Sequence, residues 1–234
     1  MKLILALQEP DTRKWINVGA LSEENGKYVF QYTEQARQEN ITPFGQMVDL
    51  GATYESEKIF PLFANRLLAK SRPEYKNYME WLGFDDETSI NPMKELSRSG
   101  GIRATDSLQV FPMPEKDNDG KYKAFFFSHG IRYLPENYIE RVGQLEVGEK
   151  LFLMQDLQNK CDKYAIAIRT DDKPELLGYC PAFFAKDFGK LLQMCQPTNI
   201  DVKVVKVNMD APIQYRLLCQ LEAPWPESFE PFQD

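Results

Sequence analysis

The chain changes rhythm between Pro112 and Gly120, and that change limits its fold more than any other feature. Before it, strand-like runs are followed by helical ones. After it, six short apolar or β-branched runs alternate with turn residues. The intervening Glu-Lys-Asp-Asn-Asp stretch has the composition of a linker. A length of 234 residues suits two compact domains, each with its own core. The expected division is a first domain over 1–112, a linker over 113–121, a second domain over 122–226 and an acidic tail over 227–234.

In the first half, Met1 to Leu7 reads as a strand. Trp15 to Leu21 and Lys27 to Tyr32 flank Asn25-Gly26, two residues that tolerate the positive φ of a tight hairpin. From Glu57 to Ala69, Ile59, Phe60, Phe63, Leu67 and Leu68 recur at three- and four-residue intervals, which predicts an amphipathic helix with Pro61 in its first turn. Ser71-Arg72-Pro73-Glu74 has capping-box spacing ahead of Tyr75, Tyr78, Met79 and Leu82. Asn91-Pro92 starts a short helix that Gly100-Gly101 ends, and Ser107 to Phe111 returns as a strand. Together these predict a small antiparallel sheet with helices.

In the second half the strands are expected at Tyr122 to Ser128, Lys150 to Gln155, Ala165 to Thr170, Leu176 to Tyr179, Ile200 to Asn208 and Gln214 to Leu221. Helical patterns occupy Pro135 to Val142 and Ala182 to Met194. In the latter, Phe183, Phe184, Phe188, Leu191 and Leu192 make one apolar stripe. The expectation is a six-stranded β-barrel with two helices, and for the whole chain an α+β class. Ala223-Pro224-Trp225-Pro226-Glu227 reads as irregular.

Charge argues against nonspecific duplex binding. Residues 1–120 carry 14 basic and 19 acidic side chains, residues 121–226 carry 14 and 13, and the last eight carry three acids. Such a balance lacks the cationic surface that bulk phosphate binding needs, and leaves room only for a small, end-directed contact. Cys161, Cys180, Cys195 and Cys219 show no Cys-x-x-Cys pairing, and the N-terminal stretch lacks the apolar length of a signal peptide. No run reaches the ~20 apolar residues of a membrane span. Free thiols, a cytoplasmic location and no membrane are therefore expected.

Arg132-Tyr133 and, about 25 residues later, the polar turn Gln158-Asn159-Lys160-Cys161-Asp162 carry the sharpest chemistry. Arginine offers phosphate a fork, tyrosine offers a base a stacking face, and short amides and carboxylates can read a base edge or a terminal hydroxyl. The other reading has Tyr133 packed on the barrel and Arg132 paired with a surface acid. For Asn159 and Asp162 the alternative is an Asx turn that satisfies its own backbone. Tyr179 reads as a strand residue at the groove edge. Asp187-Phe188-Gly189 resembles a magnesium-binding tripeptide, but no glycine-rich loop or His-Arg-Asp segment precedes it and Phe188 lies on an apolar stripe. His129, the sole histidine, has no cysteine or carboxylate spaced for a metal site or a triad, and reads as a rim residue. Neither a catalytic residue nor a cofactor is expected. Phe60, Phe63, Arg66, Tyr78 and Trp81 are candidates for a partner face. Helical spacing sends the two phenylalanines to the core, which leaves Arg66, Tyr78 and Trp81.

On these residues the second half resembles the HIRAN domain, the module found at the N-terminus of helicase-like transcription factor and also alone in bacteria. Gly130-Ile131-Arg132-Tyr133, Val147-Gly148-Glu149-Lys150-Leu151, Asn159-Lys160-Cys161-Asp162-Lys163-Tyr164-Ala165-Ile166 and Leu177-Gly178-Tyr179-Cys180-Pro181 fall in that family's order and spacing. The resemblance implies an OB-like barrel that binds the 3′ end of single-stranded DNA, with Arg132, Tyr133, Gln158, Asn159 and Asp162 lining the pocket. Between Asn159 and Asp162 the family has proline and then an aromatic or histidine. Here Lys160 and Cys161 stand there, so one stacking face is lost.

The first half resembles the N-terminal subdomain of HipA-like serine/threonine kinase toxins, which also occurs as the separate small protein HipS. The residues that carry this are Val18-Gly19-Ala20-Leu21, Tyr28-Val29-Phe30-Gln31-Tyr32, Ile59 to Leu67 and Asp106 to Pro112. The resemblance implies a bacterial, non-catalytic, antitoxin-type subunit that contacts a separately encoded HipA-like kinase. The alternative is a stand-alone single-stranded DNA end sensor in DNA repair or phage defence.

Overall fold

The computed structural model describes residues 1–85, 90–171 and 173–233. The chain divides into two compact units, the first comprising residues 1–80 and 84–113 and the second residues 81–83 and 114–234. The class is α+β, each unit being built on one antiparallel sheet.

The first unit has strands β1 (Lys2–Gln8), β2 (Trp15–Glu24), β3 (Lys27–Tyr32), β4 (Thr53–Ser56) and β5 (Leu108–Pro112), in the order β4-β3-β2-β1-β5. Asn25 (φ 51°) and Gly26 (φ 77°) turn β2 into β3 with the double positive φ that this dipeptide predicts. Leu3, Leu5, Val18, Leu21, Phe30 and Val110 point into a core closed by Phe63, Met93 and Leu96. Helices α1 (Glu34–Gln38), α2 (Pro61–Ala64) and α4 (Pro92–Ser99) complete the unit, together with α3 (Tyr75–Trp81) up to Glu80, its last residue Trp81 belonging to the second unit. Asn91 caps α4 by accepting from the Lys94 N–H, and Gly100 ends it at φ 73°.

The expected helix over 57–69 shrinks to the single turn of α2. Pro61 forces the preceding Phe60 into extended backbone (ψ 145°), so nothing before it can be helical. Beyond Ala64, the Leu68 N–H turns to the buried carboxylate of Glu95 at 2.9 Å instead of a helical carbonyl. Apolar spacing reports only which side chains face inward, and a tertiary acceptor took the backbone donor that the helix needed.

In the second unit β6 (Lys121–Phe127), β7 (Lys150–Gln155), β8 (Ile166–Arg169), β9 (Leu176–Tyr179), β10 (Asp201–Val207) and β11 (Leu217–Pro224) form one sheet in the order β6-β11-β10-β7-β8-β9. Its two edges meet. Just past β6, His129 exchanges backbone hydrogen bonds with Tyr179 of β9 at 2.8 and 2.9 Å, and the Ser128 hydroxyl donates to the Leu177 carbonyl at 2.8 Å. The curled sheet is thus fastened to itself at one rung, an OB-like arrangement. Only glycine fits at Gly178, since a Cβ there would overlap Ser128 Oγ and lie 2.5 Å from the His129 carbonyl oxygen.

Helices α5 (Glu136–Gly143) and α6 (Ala182–Met194) belong to this unit. Phe184 and Phe188 of α6 enter an aromatic cluster with Tyr122, Phe126, Trp225 and Phe229. Two expectations need correction here. The last strand starts at Leu217, because Pro212 and the Asn208 amide, which donates to the Tyr215 carbonyl at 2.8 Å, hold Ile213–Tyr215 in a 3₁₀ turn. Ala223 and Pro224 do continue the ladder, paired with Tyr122 and Lys121. Proline is tolerated there because the pairing with β10 stops at Glu222, so no N–H is required on that side.

Candidate nucleic-acid interface

Directly after the closing rung, Gly130 at φ 77° reverses the chain into the 3₁₀ turn Ile131–Tyr133. Ile131 is buried and anchors the turn, which throws Arg132 and Tyr133 outward. Tyr133 is 80% exposed, and the Arg132 guanidinium lies 5.4 Å from its ring centroid. Of the two readings open for this pair, an inward-packed tyrosine is therefore excluded.

The loop from Asp156 to Ala165 joins β7 to β8 and is built from Asx turns. Asp156 Oδ1 accepts from the Gln158 N–H at 3.2 Å and Asn159 Oδ1 from the N–H groups of Cys161 and Asp162 at 3.0 Å each. Asp162 Oδ1 accepts from Tyr164 N–H at 2.9 Å. The Asx-turn reading of Asn159 and Asp162 holds, and both are half-buried. Their side chains shape the loop, while Gln158, Lys160 and Cys161 face solvent.

Tyr179 joins these parts. Its hydroxyl donates to Asp156 Oδ2 at 3.0 Å, and the same oxygen accepts from the Asn159 amide at 3.2 Å. Its ring edge lies against Gly130, where a Cβ would stand 3.4 Å from Cδ2. Burial, followed by the hydrogen bond to Asp156, pushes the Tyr179 phenol above its ordinary value. Burial alone draws His129 down to about 4, so its imidazole is neutral at pH 7.

The structure thus connects Arg132, Tyr133, Asn159, Asp162 and Tyr179 through one hydrogen-bonded and packed framework. Sequence reasoning missed Asp156, the carboxylate that ties the loop to Tyr179. Its signal was an Asp three residues before Asn159 at the end of an apolar run, an Asx-turn pattern. On the far side of Asp162, the Lys163 and Lys186 ammonium groups lie 4.9 and 5.1 Å from the Tyr164 ring centroid. Lys186 becomes a neighbour of Tyr164 only once α6 is packed.

The candidate partner residues fare differently. Arg66 is no surface anchor: its side chain is 2% exposed, pairs with Asp106 at 2.6 Å and donates to the Gly101 carbonyl at 2.8 Å. Tyr78 is half-buried. Trp81 is half-buried too, and within the second unit its indole donates to Asp210 at 3.2 Å while its carbonyl accepts from Asn208 at 2.9 Å. Asp187-Phe188-Gly189 lies inside α6, with Phe188 fully buried and Asp187 Oδ1 accepting from the Phe232 N–H at 3.0 Å. Among the described residues no cluster of His, Cys, Asp and Glu is placed to hold a metal, and no helix is long and apolar enough to cross a membrane. All four cysteines are free.

Residues 121–225 match the family model of the HIRAN domain. Two solved structures are similar to part of the chain. One is a protein from Lactobacillus plantarum, 20% identical over 44% of this chain and 96% of that one, with a TM-score of 0.36. The other is the HIRAN domain of human HLTF, 17% identical over 45% and 78%, with a TM-score of 0.31. No curated protein matches the chain. Over residues 121–225, then, the chain carries a domain that matches the HIRAN family.

Proposed function

We propose that the second unit binds the 3′ end of single-stranded DNA. Arg132 grips a phosphate, Tyr133 stacks on a base, and the Asp156–Asp162 loop limits the site to a strand terminus. The observation that carries this is the outward, exposed Arg132–Tyr133 pair on a turn fixed by Gly130 and buried Ile131 beside that loop. The HIRAN family match supports the reading. So does the near-neutral charge of residues 121–226, which favours a few defined contacts over a cationic track. Asn159 acts by shaping the loop, since its carbonyl oxygen is occupied by two backbone N–H groups. The test is fluorescence anisotropy with oligonucleotides whose 3′ hydroxyl is free or blocked by phosphate. The free end binds more tightly, and Arg132→Ala with Tyr133→Ala removes the difference. Equal binding of both ends by the intact protein would refute the reading.

For the first unit we propose a docking role toward a separately encoded HipA-like kinase, supported by the short similarities quoted above. With Arg66 buried, Tyr78 is the remaining anchor candidate on this unit. Co-purification with such a kinase and relief of its toxicity on co-expression are the expected results; no association would remove the proposal.

A further inference from the structure

The match to the HIRAN family begins at residue 121, yet the unit that carries the candidate site also contains Trp81, Leu82 and Gly83. Leu82 is fully buried. The segment is received by the connection between β10 and β11. Directly after β10, the side-chain amide of Asn208 donates to two carbonyls, that of Trp81 at 2.9 Å and that of Tyr215 at 2.8 Å. The Asn208 backbone N–H donates to the Arg216 carbonyl at 2.8 Å, and its own carbonyl accepts from the Ala211 N–H at 3.2 Å. The Trp81 indole adds its bond to Asp210 at 3.2 Å. Asn208 is 3% exposed, so losing its amide takes a donor from both carbonyls where water has little access. One side chain thus holds the 81–83 segment and the 213–215 turn together.

That turn borders the grip. It lies against the Ile131–Tyr133 turn, and the Tyr215 ring meets Phe127, the last residue of β6, edge-on with centroids 5.2 Å apart. Only the closing rung at His129 and the reversal at Gly130 separate Phe127 from Ile131 and the exposed pair. The backbone hydrogen bonds from Tyr133 to Gly130 (2.9 Å) and from Leu134 to Ile131 (3.1 Å) are internal to the Ile131–Tyr133 turn. They fix its shape but not its direction. Direction comes from the buried Ile131 and from the turn packed alongside.

We infer that Trp81 and Asn208 are positioning residues for the nucleic-acid grip: Asn208 clamps the Trp81–Gly83 segment to the 213–215 turn, and that turn backs the outward aim of Arg132 and Tyr133. Both act through the turn, without touching the strand. This deepens the end-binding reading and rests on it. The functional unit then begins at Trp81, well ahead of the family match.

The experiment uses the full chain with the free-3′ and blocked-3′ oligonucleotides. Asn208→Ala, at a temperature where circular dichroism and urea titration show it folded, should bind the free end about tenfold more weakly, within the range for residues of one hydrogen-bonded network. In the Arg132→Ala, Tyr133→Ala background the same substitution should add nothing, because the grip it supports is already gone. Equal losses in the two backgrounds would mark a general structural defect and overturn the positioning role. A second measurement needs no weakened variant. The indole N–H resonance of Trp81, identified by its absence in Trp81→Phe, should move on loading with the free-3′ oligonucleotide and stay in place with the blocked one at the same concentration. Unchanged affinity in folded Asn208→Ala, or an indole resonance that the free end does not move, overturns the positioning role and leaves the end-binding reading standing. Loss of end preference in the intact protein overturns both.

Discussion

The Tyr179 hydroxyl donates to Asp156 Oδ2 at 3.0 Å while the Tyr179 backbone exchanges two hydrogen bonds with His129, so one residue both shuts the sheet and fixes the loop of the candidate site. Tyr179→Phe keeps the ring and the rung but frees the loop. The expected cost is about 1 kcal/mol of stability, typical of one hydrogen bond to a partly exposed carboxylate. Affinity for a free-3′ oligonucleotide should fall more than that stability change explains. Urea unfolding and anisotropy on the same variant separate the two effects.

Gly178 sits where the edges touch. Its φ of 120° and the overlap that a Cβ would make with Ser128 Oγ leave alanine no accommodation short of opening the rung. Gly178→Ala should cost about 3 kcal/mol or more. Gly148→Ala is the control: φ is 87° but nothing lies within 4 Å of the added carbon, so only backbone strain of about 1 kcal/mol is expected. Denaturant midpoints of the two variants give the comparison, and equal losses would contradict a tight seam at Gly178.

Arg66→Ala removes a buried guanidinium whose partners are Asp106, 30% exposed, and the Gly101 carbonyl. The expected destabilisation is about 3 kcal/mol, most of it from acceptors left without a donor. Oligonucleotide binding by the second unit should not change. A docking role for Arg66 would show the reverse, with normal stability and lost partner binding.

Acid should act on the second unit through two groups of opposite sign. His129, drawn down to about 4 by burial, is neutral when folded but takes a proton near pH 6.5 when unfolded, so its contribution is present above that value and is lost as pH falls toward 4. Burial raises the Asp187 carboxyl to about 6, so its contribution is present below its ordinary 3.8 and is lost as pH rises through 6. Between about pH 4 and 6 the two oppose each other. His129→Gln should therefore leave a stability that falls with rising pH, and Asp187→Asn one that rises, as read from urea midpoints across the range.

Phe229 is 3% exposed and packs on Tyr122 and Trp225, with ring centroids 5.7 and 5.3 Å away. Phe229→Ala should cost about 3 kcal/mol, the usual price of emptying a buried aromatic site. A fragment ending at residue 225, the last residue of the family match, loses this plug and should unfold at a lower temperature than one ending at 234.

Local chemistry was legible in the sequence wherever one residue type decides the backbone. Asn25-Gly26 foretold its hairpin, Asn91-Pro92 its helix start, and the stripe of Phe184, Phe188 and Leu191 its helix, down to the bounds Ala182–Met194. What failed depended on distant partners. Glu95 claimed the Leu68 N–H, Asn208 held the 213–215 turn, and the tail proved partly ordered, with Phe229 in the core and Phe232 N–H bound to Asp187. The same division holds at the candidate site. Arg132, Tyr133 and the Asn159–Asp162 turn are contiguous and could be picked out. The Tyr179–Asp156 tie and the meeting of Lys186 with Tyr164 bridge 23 and 22 residues of chain and arise only from sheet closure and helix packing.

A cylinder buttoned by a single pair of backbone bonds has a zip, and the zip ends where Gly130 sends the chain toward Tyr133. Any molecule resting across Tyr133 and Tyr179 spans that zip and keeps it shut. Occupancy should therefore be audible in two amide protons, those of His129 and Tyr179, whose exchange with deuterium slows on loading while the long β10–β11 ladder keeps its own pace.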